Sequence, residues 1–555
     1  MDRNAFIAIA LSFAVLSVWM MFTTPSPKPH LAAPPSAQAP VGEATAQQVP
    51  PPAAQPIAPS AAAAPVVAPP APAVSLRIPI ETPLFHAELD TVGGSLARFE
   101  LQGYRVAPSP SAAPVALTTA QPPQAHALAT SFVELGLGDL AQAGFAVESS
   151  DSQSVAFRYE RGGVVVRKHY RFDPQSYAFE LRLLVENGSA APIRPEYALA
   201  WPTHAAPGQD FVNLDYTALH DGSLVSHPLK AFGVPGFFSR SAETEATLAH
   251  EIDWAGVNTT YFVAALLPEN PAQANARIVA TEPGKAGKIE VFFEPVQLPP
   301  GQSAERVYRI YAGPKESERL EAVGSGLARS INLGWNWLSP LTHVFGWLLR
   351  ALYSVIPNYG VAIILLTILV RGVTTPLTMK QMKSMERMRT LQPKLQGLRE
   401  KYPDDRQKQS EETMKLYRRE GVNPLGGCLP MLLQLPVFVG LFYALQSSID
   451  LRQAPFVAWI DDLSAPDALF TIPGLGIPLR LLPLLNGAAM VVQQKISPAQ
   501  VDPAQARMMM IVMPVMMTVL FYQFPSGLVL YWILSSVLAI AHQLWVGRGL
   551  RTATA

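Results

Sequence analysis

Long apolar runs and one region of alternating apolar and polar positions divide the chain. A membrane-spanning helix needs roughly 20 apolar residues. Between the first two runs of about that length, residues 75–325 alternate with period two, which is typical of strands with one buried face. The pattern predicts six transmembrane helices and a large β-sandwich. The apolar runs lie at 5–22, 358–379, 429–449, 475–496, 508–523 and 528–547.

The β-sandwich is predicted from apolar residues at every second position between turn signals. Gly162–Gly163 separates two such runs and indicates a hairpin turn. No long helical pattern interrupts the region, which favours two packed sheets. The strand-like runs are 155–159, 164–172, 179–185, 289–293 and 306–311.

The N-terminal part precedes this domain as an anchor and a tether. Residues 1–23 are open to two interpretations, a cleaved signal peptide or an uncleaved signal anchor. We favour the anchor, because the apolar run ends in Trp19–Phe22 rather than in the small residues of a cleavage site. Residues 24–74 are almost entirely Pro, Ala, Gln, Ser and Val, which predicts a disordered linker with polyproline II character.

Charge between the apolar runs predicts the orientation in the membrane. In residues 380–420, twelve Lys and Arg outnumber seven Asp and Glu, and loops with such an excess face the cytoplasm. Residues 450–474 carry four Asp against one Arg, which places them outside. The N-terminus, the C-terminus and the short tail 549–555 then lie in the cytoplasm, and the β domain lies outside.

Two helical segments adjoin the second apolar run. Residues 330–357 are Trp-rich and interrupted by polar residues, so they form either another span or an amphipathic helix at the membrane interface. A further span would move the basic loop outside, so we predict the interfacial helix. Residues 380–421 are predicted to form a cytoplasmic helical hairpin with its turn near Pro403.

Composition supports a membrane protein and excludes several kinds of site. Hydrophobic residues make up 49% of the 555 residues and charged residues 15%. Cys428 is the single cysteine, which excludes an intrachain disulfide and a cysteine-cluster metal site. The histidines lack metal-ligand spacing, and the chain has no P-loop, G-x-S-x-G or H-E-x-x-H motif. We therefore expect no metal, no cofactor and no direct nucleic-acid site.

Arg371 lies inside the second apolar run, where its guanidinium keeps its charge. A charge at the bilayer centre costs roughly 2.5–3.5 kcal/mol on insertion scales. None of the five C-terminal runs contains an Asp or Glu to pair with it. The side chain either snorkels to the interface near Lys380 or lies in a wet polar cavity. Neutral polar residues of the same runs favour the cavity: Thr367, Gln434, Asn486, Gln493, Gln494, Thr518, Gln523, Ser535 and Ser536.

A cavity with a fixed positive charge and no acid can receive anionic or polar groups from another molecule. It suits proton coupling poorly, because coupling normally uses intramembrane carboxylates. Methionines crowd the run at 508–523, and two interpretations stay open: an adaptable ligand surface or a loosely packed core. They are Met508, Met509, Met510, Met513, Met516 and Met517.

Several motifs resemble the YidC/Oxa1/Alb3 family of membrane protein insertases, of the Gram-negative YidC type. They occur in the family's order across most of 330–548: TILVRG at 367–372, LQPKLQ at 391–396, NPLGGCLP at 423–430 and FPSGLVLYW at 524–532. The resemblance implies an inner-membrane protein that inserts and helps to fold other membrane proteins, and not an enzyme. It implies a five-helix core over 358–548 and a periplasmic β-sandwich.

The resemblance also implies site residues. A hydrophilic groove would receive the polar part of an entering protein, while its apolar segment slides along neighbouring helices. Some members have two tyrosines where this sequence reads Tyr531–Trp532, so the second hydroxyl is absent. The implied groove residues are Arg371, Thr367, Gln494, Trp532, Tyr531 and Gln434, and the implied sliding surface is Met431, Met513 and Met516.

The implied partners are nascent and newly made membrane proteins, the lipid bilayer and the Sec translocon. The hairpin 380–421 is the implied contact for a ribosome or a targeting receptor, while the short tail disfavours ribosome binding through the C-terminus. Two other functions were weighed. A secondary transporter or channel fits the number of spans, but the spans lack acids and show no inverted repeat. A carbohydrate enzyme would rest on the outer β-sandwich, and a fold alone does not make an enzyme.

Overall fold

The structure is a computed structural model, and it describes residues 74–553 with gaps. The residues left out within this range are 122–123, 131, 133–134, 136, 138, 206–213, 235–242, 404, 422–428, 474–475 and 497–502. Side chains are also not described at 377–378, 380–390, 392, 399, 406, 429–433, 503–509 and 546–553. The predicted anchor 1–23 and nearly all of the predicted linker 24–74 lie outside the described residues. All described residues belong to one compact unit, 71–555.

Residues 77–314 form a β-rich domain, as the alternating pattern predicts. Its strands are β1 (Arg77–Glu81), β2 (Phe85–Asp90), β3 (Ser95–Arg105), β4 (Pro114–Ala116), β5 (Ala146–Ser150), β6 (Ser154–Arg161), β7 (Val164–Phe172), β8 (Ala178–Asn187), β9 (Ala198–His204), β10 (Asp215–His220), β11 (Ser223–Pro228), β12 (Glu245–Leu248), β13 (Ile252–Asn258), β14 (Phe262–Pro268), β15 (Ala274–Glu282), β16 (Ala286–Phe293) and β17 (Ser303–Pro314).

The strands form three antiparallel sheets that share one core. Nine strands make the largest sheet, in the order β11-β10-β13-β14-β17-β8-β7-β6-β5, and the four-stranded sheets are β1-β2-β3-β4 and β12-β15-β16-β9. Side chains from all three sheets meet in a single buried cluster, including Phe99, Trp201 and Trp254. Because each strand alternates sides, one face of each sheet can be apolar while the other stays polar.

The predicted hairpin at Gly162–Gly163 is confirmed. These two residues join β6 to β7, with φ values of +61° and +78°. Positive φ at both central positions is what a two-residue hairpin turn requires, and glycine adopts it without a Cβ penalty. The turn fixes the register from Arg161 opposite Val164 to Ser154 opposite Arg171.

Helices follow the β domain. They are α1 (Ser317–Val323), α2 (Ser339–Val355), α3 (Tyr359–Thr390), α4 (Gln392–Lys401), α5 (Arg406–Arg419), α6 (Leu429–Gln446), α7 (Leu481–Ile496), α8 (Pro503–Phe521) and α9 (Ser526–Ala553). A short hairpin of β18 (Phe470–Thr471) and β19 (Pro478–Leu479) precedes α7. A second buried cluster lies between the helices, with Phe345 of α2, Leu366 of α3, Leu441 of α6 and Phe521 of α8.

Several helix boundaries differ from the predicted ones. The predicted interfacial segment 330–357 is helical only from Ser339, because a 3₁₀ turn over Leu327–Ser330 and an irregular stretch precede it. The first arm of the predicted hairpin 380–421 is the continuation of α3 to Thr390, followed by α4. Its second arm, α5, begins where Asp405 accepts a hydrogen bond from the Lys408 amide at 2.9 Å, an N-cap that the sequence pattern did not identify.

The apolar run 475–496 is the clearest departure from the predicted spans. Of the described residues in this run, only Leu481–Ile496 is helical, and Pro478–Leu479 belongs to the β18–β19 hairpin. Asp467 caps α7 by accepting hydrogen bonds from the Leu481 and Leu482 amides at 2.8 and 3.0 Å. A cap supplied by a distant loop residue leaves no period in the sequence, which is why the run looked uniformly helical.

Two described helices are long and apolar enough to cross a membrane by length and composition, over Tyr359–Pro376 and Ser526–Trp545. Gln434–Gln446 and Met510–Phe521 are shorter apolar stretches. The first predicted run, at 5–22, is not among the described residues. The count of six transmembrane helices therefore stays a prediction.

The loop after α6 joins the helices to the β domain. Arg452 and Gln453 donate hydrogen bonds to the backbone oxygen of Arg105 at 2.6 and 2.8 Å. The Arg452 guanidinium also lies 5.3 Å from the centre of the Phe262 ring. Ile449, from the same loop, belongs to the buried cluster of the β domain. The two parts thus share polar and apolar contacts.

Candidate functional site

Arg371 projects from the apolar part of α3 towards α9, and it is half-buried. Its Nε donates a hydrogen bond to the hydroxyl oxygen of Ser535 at 2.8 Å, and its Nη2 donates to the same oxygen. Among the salt bridges of the described residues, none involves Arg371. The positive charge is therefore hydrogen-bonded to a neutral hydroxyl and is not neutralised by it.

Tyr531 extends this polar contact to a third helix. It lies four residues before Ser535, which puts both side chains on one face of α9. The Gln434 side-chain amide of α6 donates a hydrogen bond to the Tyr531 hydroxyl at 3.3 Å. Tyr531 is 2% exposed and Ser535 is 5% exposed. Arg371, Ser535, Tyr531 and Gln434 thus form what we call the polar network, which joins α3, α9 and α6.

Thr367 and Gln494 stand apart from these contacts. Thr367 lies one turn before Arg371 and is fully buried, but its hydroxyl donates to the backbone oxygen of Ile363 at 2.6 Å. Its hydrogen bond therefore stays within α3. Gln494 lies on α7 and is half-buried. In the described part of the chain it makes no hydrogen bond to Arg371.

Trp532 belongs to an aromatic cluster instead of the polar network. Its ring lies 4.6 Å from that of Phe438 in a perpendicular arrangement and 5.0 Å from that of Phe521. Successive residues of an α-helix point about 100° apart, so Tyr531 and Trp532 face different neighbours. An indole at this position fills apolar space between α6, α8 and α9.

The predicted sliding surface is only partly described. The side chain of Met431 is outside the described residues, while Met513 and Met516 on α8 are half-buried. Exposed residues at a spacing of four run beside them on the same helix: Ile511, Val515 and Val519. Such a stripe suits contact with lipid or with an apolar segment.

The sequence places Ser535 among the neutral polar groups of the apolar runs without distinguishing it from the others. Nothing in the sequence shows which of those groups reaches Arg371, because the pairing depends on how α3 packs against α9. Asn486 of α7 is a further buried group of interest. It is fully buried, and its side-chain oxygen has no hydrogen-bond partner among the described atoms. An unpaired buried amide oxygen can accept a hydrogen bond from an incoming group.

The β domain contains a cavity of about 360 Å³ with charged walls. Glu290 there is paired with Arg277 at 2.7 Å and with Lys288. Because its carboxylate is already neutralised by two cations, it is poorly placed to act as a general base. No group of three or more potential metal ligands occurs within the described residues.

Two family models match the two parts of the chain separately, and known proteins match the chain over its whole length. The family model of the YidC periplasmic domain matches residues 77–348, and that of the 60Kd inner membrane protein matches residues 351–553. The membrane protein insertase YidC of Syntrophus aciditrophicus (strain SB) is 35% identical over 579 aligned residues, covering 99% of this chain and 100% of that protein.

Two further proteins are similar. The membrane protein insertase YidC of Geobacter metallireducens is 34% identical over 582 aligned residues, with all of both chains covered. A solved structure of an active YidC insertase, with its first transmembrane domain resolved, is 19% identical and has a TM-score of 0.36, covering 86% of this chain and 94% of that chain. Sequence identity of about 35% across the full length of both proteins decides the relationship, and it confirms the resemblance found in the motifs. The chain belongs to the YidC family of membrane protein insertases.

Proposed function

We propose that this protein inserts other proteins into the inner membrane and helps them to fold, with the polar network as the contact for the hydrophilic part of the entering chain. The observation that carries the proposal is the half-buried Arg371, whose hydrogen-bond partner among the described residues is the neutral Ser535. A charge that is solvated but not neutralised can pair with an acidic residue of a substrate without first breaking an internal salt bridge.

The energetic role of the network follows from the cost of moving polar groups through hydrocarbon. Each unsatisfied polar group in the bilayer costs several kcal/mol. Hydrogen-bonding groups from α3, α6 and α9 within the apolar region lower that cost for a polar segment in transit. An acidic residue of the substrate gains a further interaction with Arg371. The process forms no covalent bond, so the protein acts by lowering a barrier to transfer.

The same proposal includes the organisation of the chain. We assign residues 1–23 to a signal anchor and α3, α6, α7, α8 and α9 to five further spans, with both termini in the cytoplasm. Apolar composition and the basic segment 380–421 support this orientation. The helix over Ser339–Val355 would lie at the external interface of the inner membrane. Trp347 on this helix is 62% exposed, and Trp337, two residues before its start, is 65% exposed.

The partners proposed for the helices extending into the cytoplasm are a ribosome or a targeting receptor. Helix α5 carries Arg418 and Arg419 in its last turn, and basic groups there favour an acidic or RNA-bearing partner. The Sec translocon is proposed as a partner for substrates with large translocated domains. These assignments rest on charge and on membership in the family.

The test replaces Arg371 in the full chain and measures insertion in cells depleted of the native protein. Two versions of one small client are used, one with an acidic translocated tail and one with those acids changed to amides. Arg371→Ala should impair the acidic version more than the neutral one, and Arg371→Lys should retain most insertion. Arg350→Ala is the matched control, because Arg350 is exposed on α2. Equal insertion of both clients by Arg371→Ala and the native protein would contradict charge pairing, and normal insertion in depleted cells would contradict the function.

A further inference from the structure

The hairpin before α7 is apolar on its exposed sides. From Ala468 to Leu479 the sequence has no charged residue. Leu469, Phe470 and Ile477 are exposed at 40%, 52% and 48%. Single exposed apolar residues are common in proteins, but three on one small hairpin form a patch that marks a contact surface. We call the described part of this element, 469–473 and 476–479, the apolar hairpin.

The described backbone of the apolar hairpin is partly paired, and two of its residues carry no backbone donor. Leu469 donates to the backbone oxygen of Leu479 at 2.9 Å, and Ile472 donates to that of Ile477 at 2.9 Å. Pro473 and Pro478 have no backbone N–H. The Pro478 oxygen accepts a hydrogen bond from the Tyr522 hydroxyl. Each of these pairings lowers the cost of moving the described backbone into an apolar medium.

The apolar hairpin is held at the ends of two helices. Arg480 donates to the backbone oxygen of Tyr522, just beyond α8, and its guanidinium lies 4.7 Å from the centre of the Tyr522 ring. On the other side, Asp467 caps the first turn of α7. The hairpin therefore lies at the level where α7 begins and α8 ends. Arg and Tyr are residues that anchor a protein at the boundary between headgroups and hydrocarbon.

Exposed apolar surface continues from the helices onto the hairpin. Leu484 and Leu485, in the first turns of α7, are 46% and 45% exposed, and Val519, near the end of α8, is 68% exposed. In an inner-membrane protein these faces lie against lipid. The apolar hairpin lies shortly before α7 and contacts Tyr522 just beyond α8, so exposed apolar residues occur both on the hairpin and at the two helix ends next to it.

The length of α7 explains what such a surface does. The apolar part of α7, from Leu481 to Val492, is followed by Gln493, Gln494 and Lys495. It spans about 18 Å at 1.5 Å per residue, whereas the hydrocarbon core is about 30 Å thick. A helix this short leaves a hydrophobic mismatch, which a bilayer relieves by thinning or which flanking groups relieve by entering it. Apolar residues of the hairpin, which Arg480 separates from the first residue of the helix, provide the missing apolar depth.

We propose that the apolar hairpin is a membrane-dipping element, which inserts Leu469, Phe470 and Ile477 into the lipid leaflet at the N-terminal end of α7 and compensates for the short helix. The partner is the lipid itself, at the depth where headgroups meet acyl chains. This inference rests on the assignment of α7 and α8 as spans in the proposed function. It does not require insertase activity, so the two can fail independently.

The test measures the depth of a spin label in the full-length protein. Cys428→Ala removes the single cysteine, and a nitroxide is then attached to Phe470→Cys in nanodiscs of phosphatidylethanolamine and phosphatidylglycerol. Accessibility to oxygen, which concentrates in lipid, is compared with accessibility to a water-soluble nickel chelate. Asp461→Cys is the matched control, because it is exposed in the same loop. Val519→Cys on α8 reports the lipid-facing surface of a span.

The expected result is an oxygen-to-nickel ratio at Phe470 that is severalfold higher than at Asp461 and close to that at Val519. A label at Ile477→Cys should give the same result, which guards against a local effect of replacing the phenyl ring. A water-exposed label at both hairpin positions, with a lipid-exposed label at Val519, would overturn the membrane-dipping element alone. A label shielded from both reagents would overturn it in favour of a protein contact. Water-exposed labels at all three positions would overturn the assignment of α8 as a span together with it.

Discussion

Arg371 of α3 donates through Nε to the Ser535 hydroxyl of α9 at 2.8 Å. The contact ties the one charge of the apolar part of α3 to a group that cannot neutralise it. A carboxylate in place of Ser535 would satisfy the guanidinium more fully, but it would also compete with any acidic residue of an entering chain. The hydroxyl positions the charge and leaves it available.

Ser535→Ala should weaken insertion without unfolding the helices. The substitution removes the described partner of the guanidinium, and hydrogen bonds to charged groups contribute about 1.5–3 kcal/mol in general. Inside membranes the measured average is smaller, about 0.6 kcal/mol, so we expect a partial loss, larger for clients with acidic tails. The measurement is client insertion together with thermal unfolding in detergent.

Ser536→Ala is the control for that experiment, because Ser536 is the next residue, is also buried and does not contact Arg371 in the described structure. Ser535→Thr should restore insertion, since it keeps a hydroxyl at the same position. Equal defects in Ser535→Ala and Ser536→Ala would show that packing, and not the hydrogen bond to Arg371, accounts for the effect.

Gly487→Ala should separate α7 from α8. A Cβ built on Gly487 would overlap the Thr518 hydroxyl oxygen, because the two helices are in close contact at this point. Small residues at such contacts let membrane helices approach closely, and overpacking typically costs about 1–3 kcal/mol. The lowered unfolding temperature should be partly recovered by the second substitution Thr518→Ala. A double variant no better than Gly487→Ala would contradict a direct clash.

Lys168 should make the stability of the β domain depend on pH. It is fully buried, and its ammonium group donates to the backbone oxygens of Gly93 and Leu128, both at 2.8 Å. Burial lowers the pKa of Lys168 to about 7. Between this pH and the unfolded pKa of about 10.4, the unfolded chain binds a proton that the folded chain does not. The free energy of unfolding should therefore rise with pH across that window, by up to about 1.4 kcal/mol per unit.

Hydrogen exchange of β6, β7 and β8 in the full chain measures this dependence. Lys168→Met should reduce the slope of the pH profile, leaving the contribution of Lys315, and lower the stability at high pH, because it leaves two buried carbonyl groups without a donor. Lys315, also buried and with its pKa lowered to about 7 by burial, stays in place as the internal reference. An unchanged pH profile in Lys168→Met would assign the dependence to other groups.

Arg452→Ala should loosen the β domain from the helices. The side chain donates to the Arg105 backbone oxygen at 2.6 Å and lies 5.3 Å from the centre of the Phe262 ring. Arg452→Lys should restore the attachment of the β domain only in part, since Lys lacks the planar guanidinium that stacks on the ring. Limited proteolysis between the β domain and α2 should become faster in the Ala variant. No change in cleavage would show that Ile449 and its apolar neighbours are sufficient to hold the two parts together.

Much of the fold was predictable because its signals are local. The alternation at 164–172 gave β7 with both ends correct, and Gly162–Gly163 identified the turn. The apolar run at 358–379 corresponds to the first two-thirds of α3. The start of α7 was not predictable, because it is set by Asp467 folding back from a loop to cap a helix fourteen residues later.

The same distinction between local and distant signals applies to the candidate site. The sequence by itself determined that Arg371 lies in an apolar run without an acid, and that neutral polar residues are present on the other runs, because residue identity and spacing are read directly from the chain. Only the tertiary structure decided that Ser535 reaches that charge and that Gln434 bonds to Tyr531, while Thr367 bonds to its own helix and Trp532 joins an aromatic cluster. The reason is physical. Which faces of two helices meet depends on the packing of side chains far apart in sequence, and no local pattern records it.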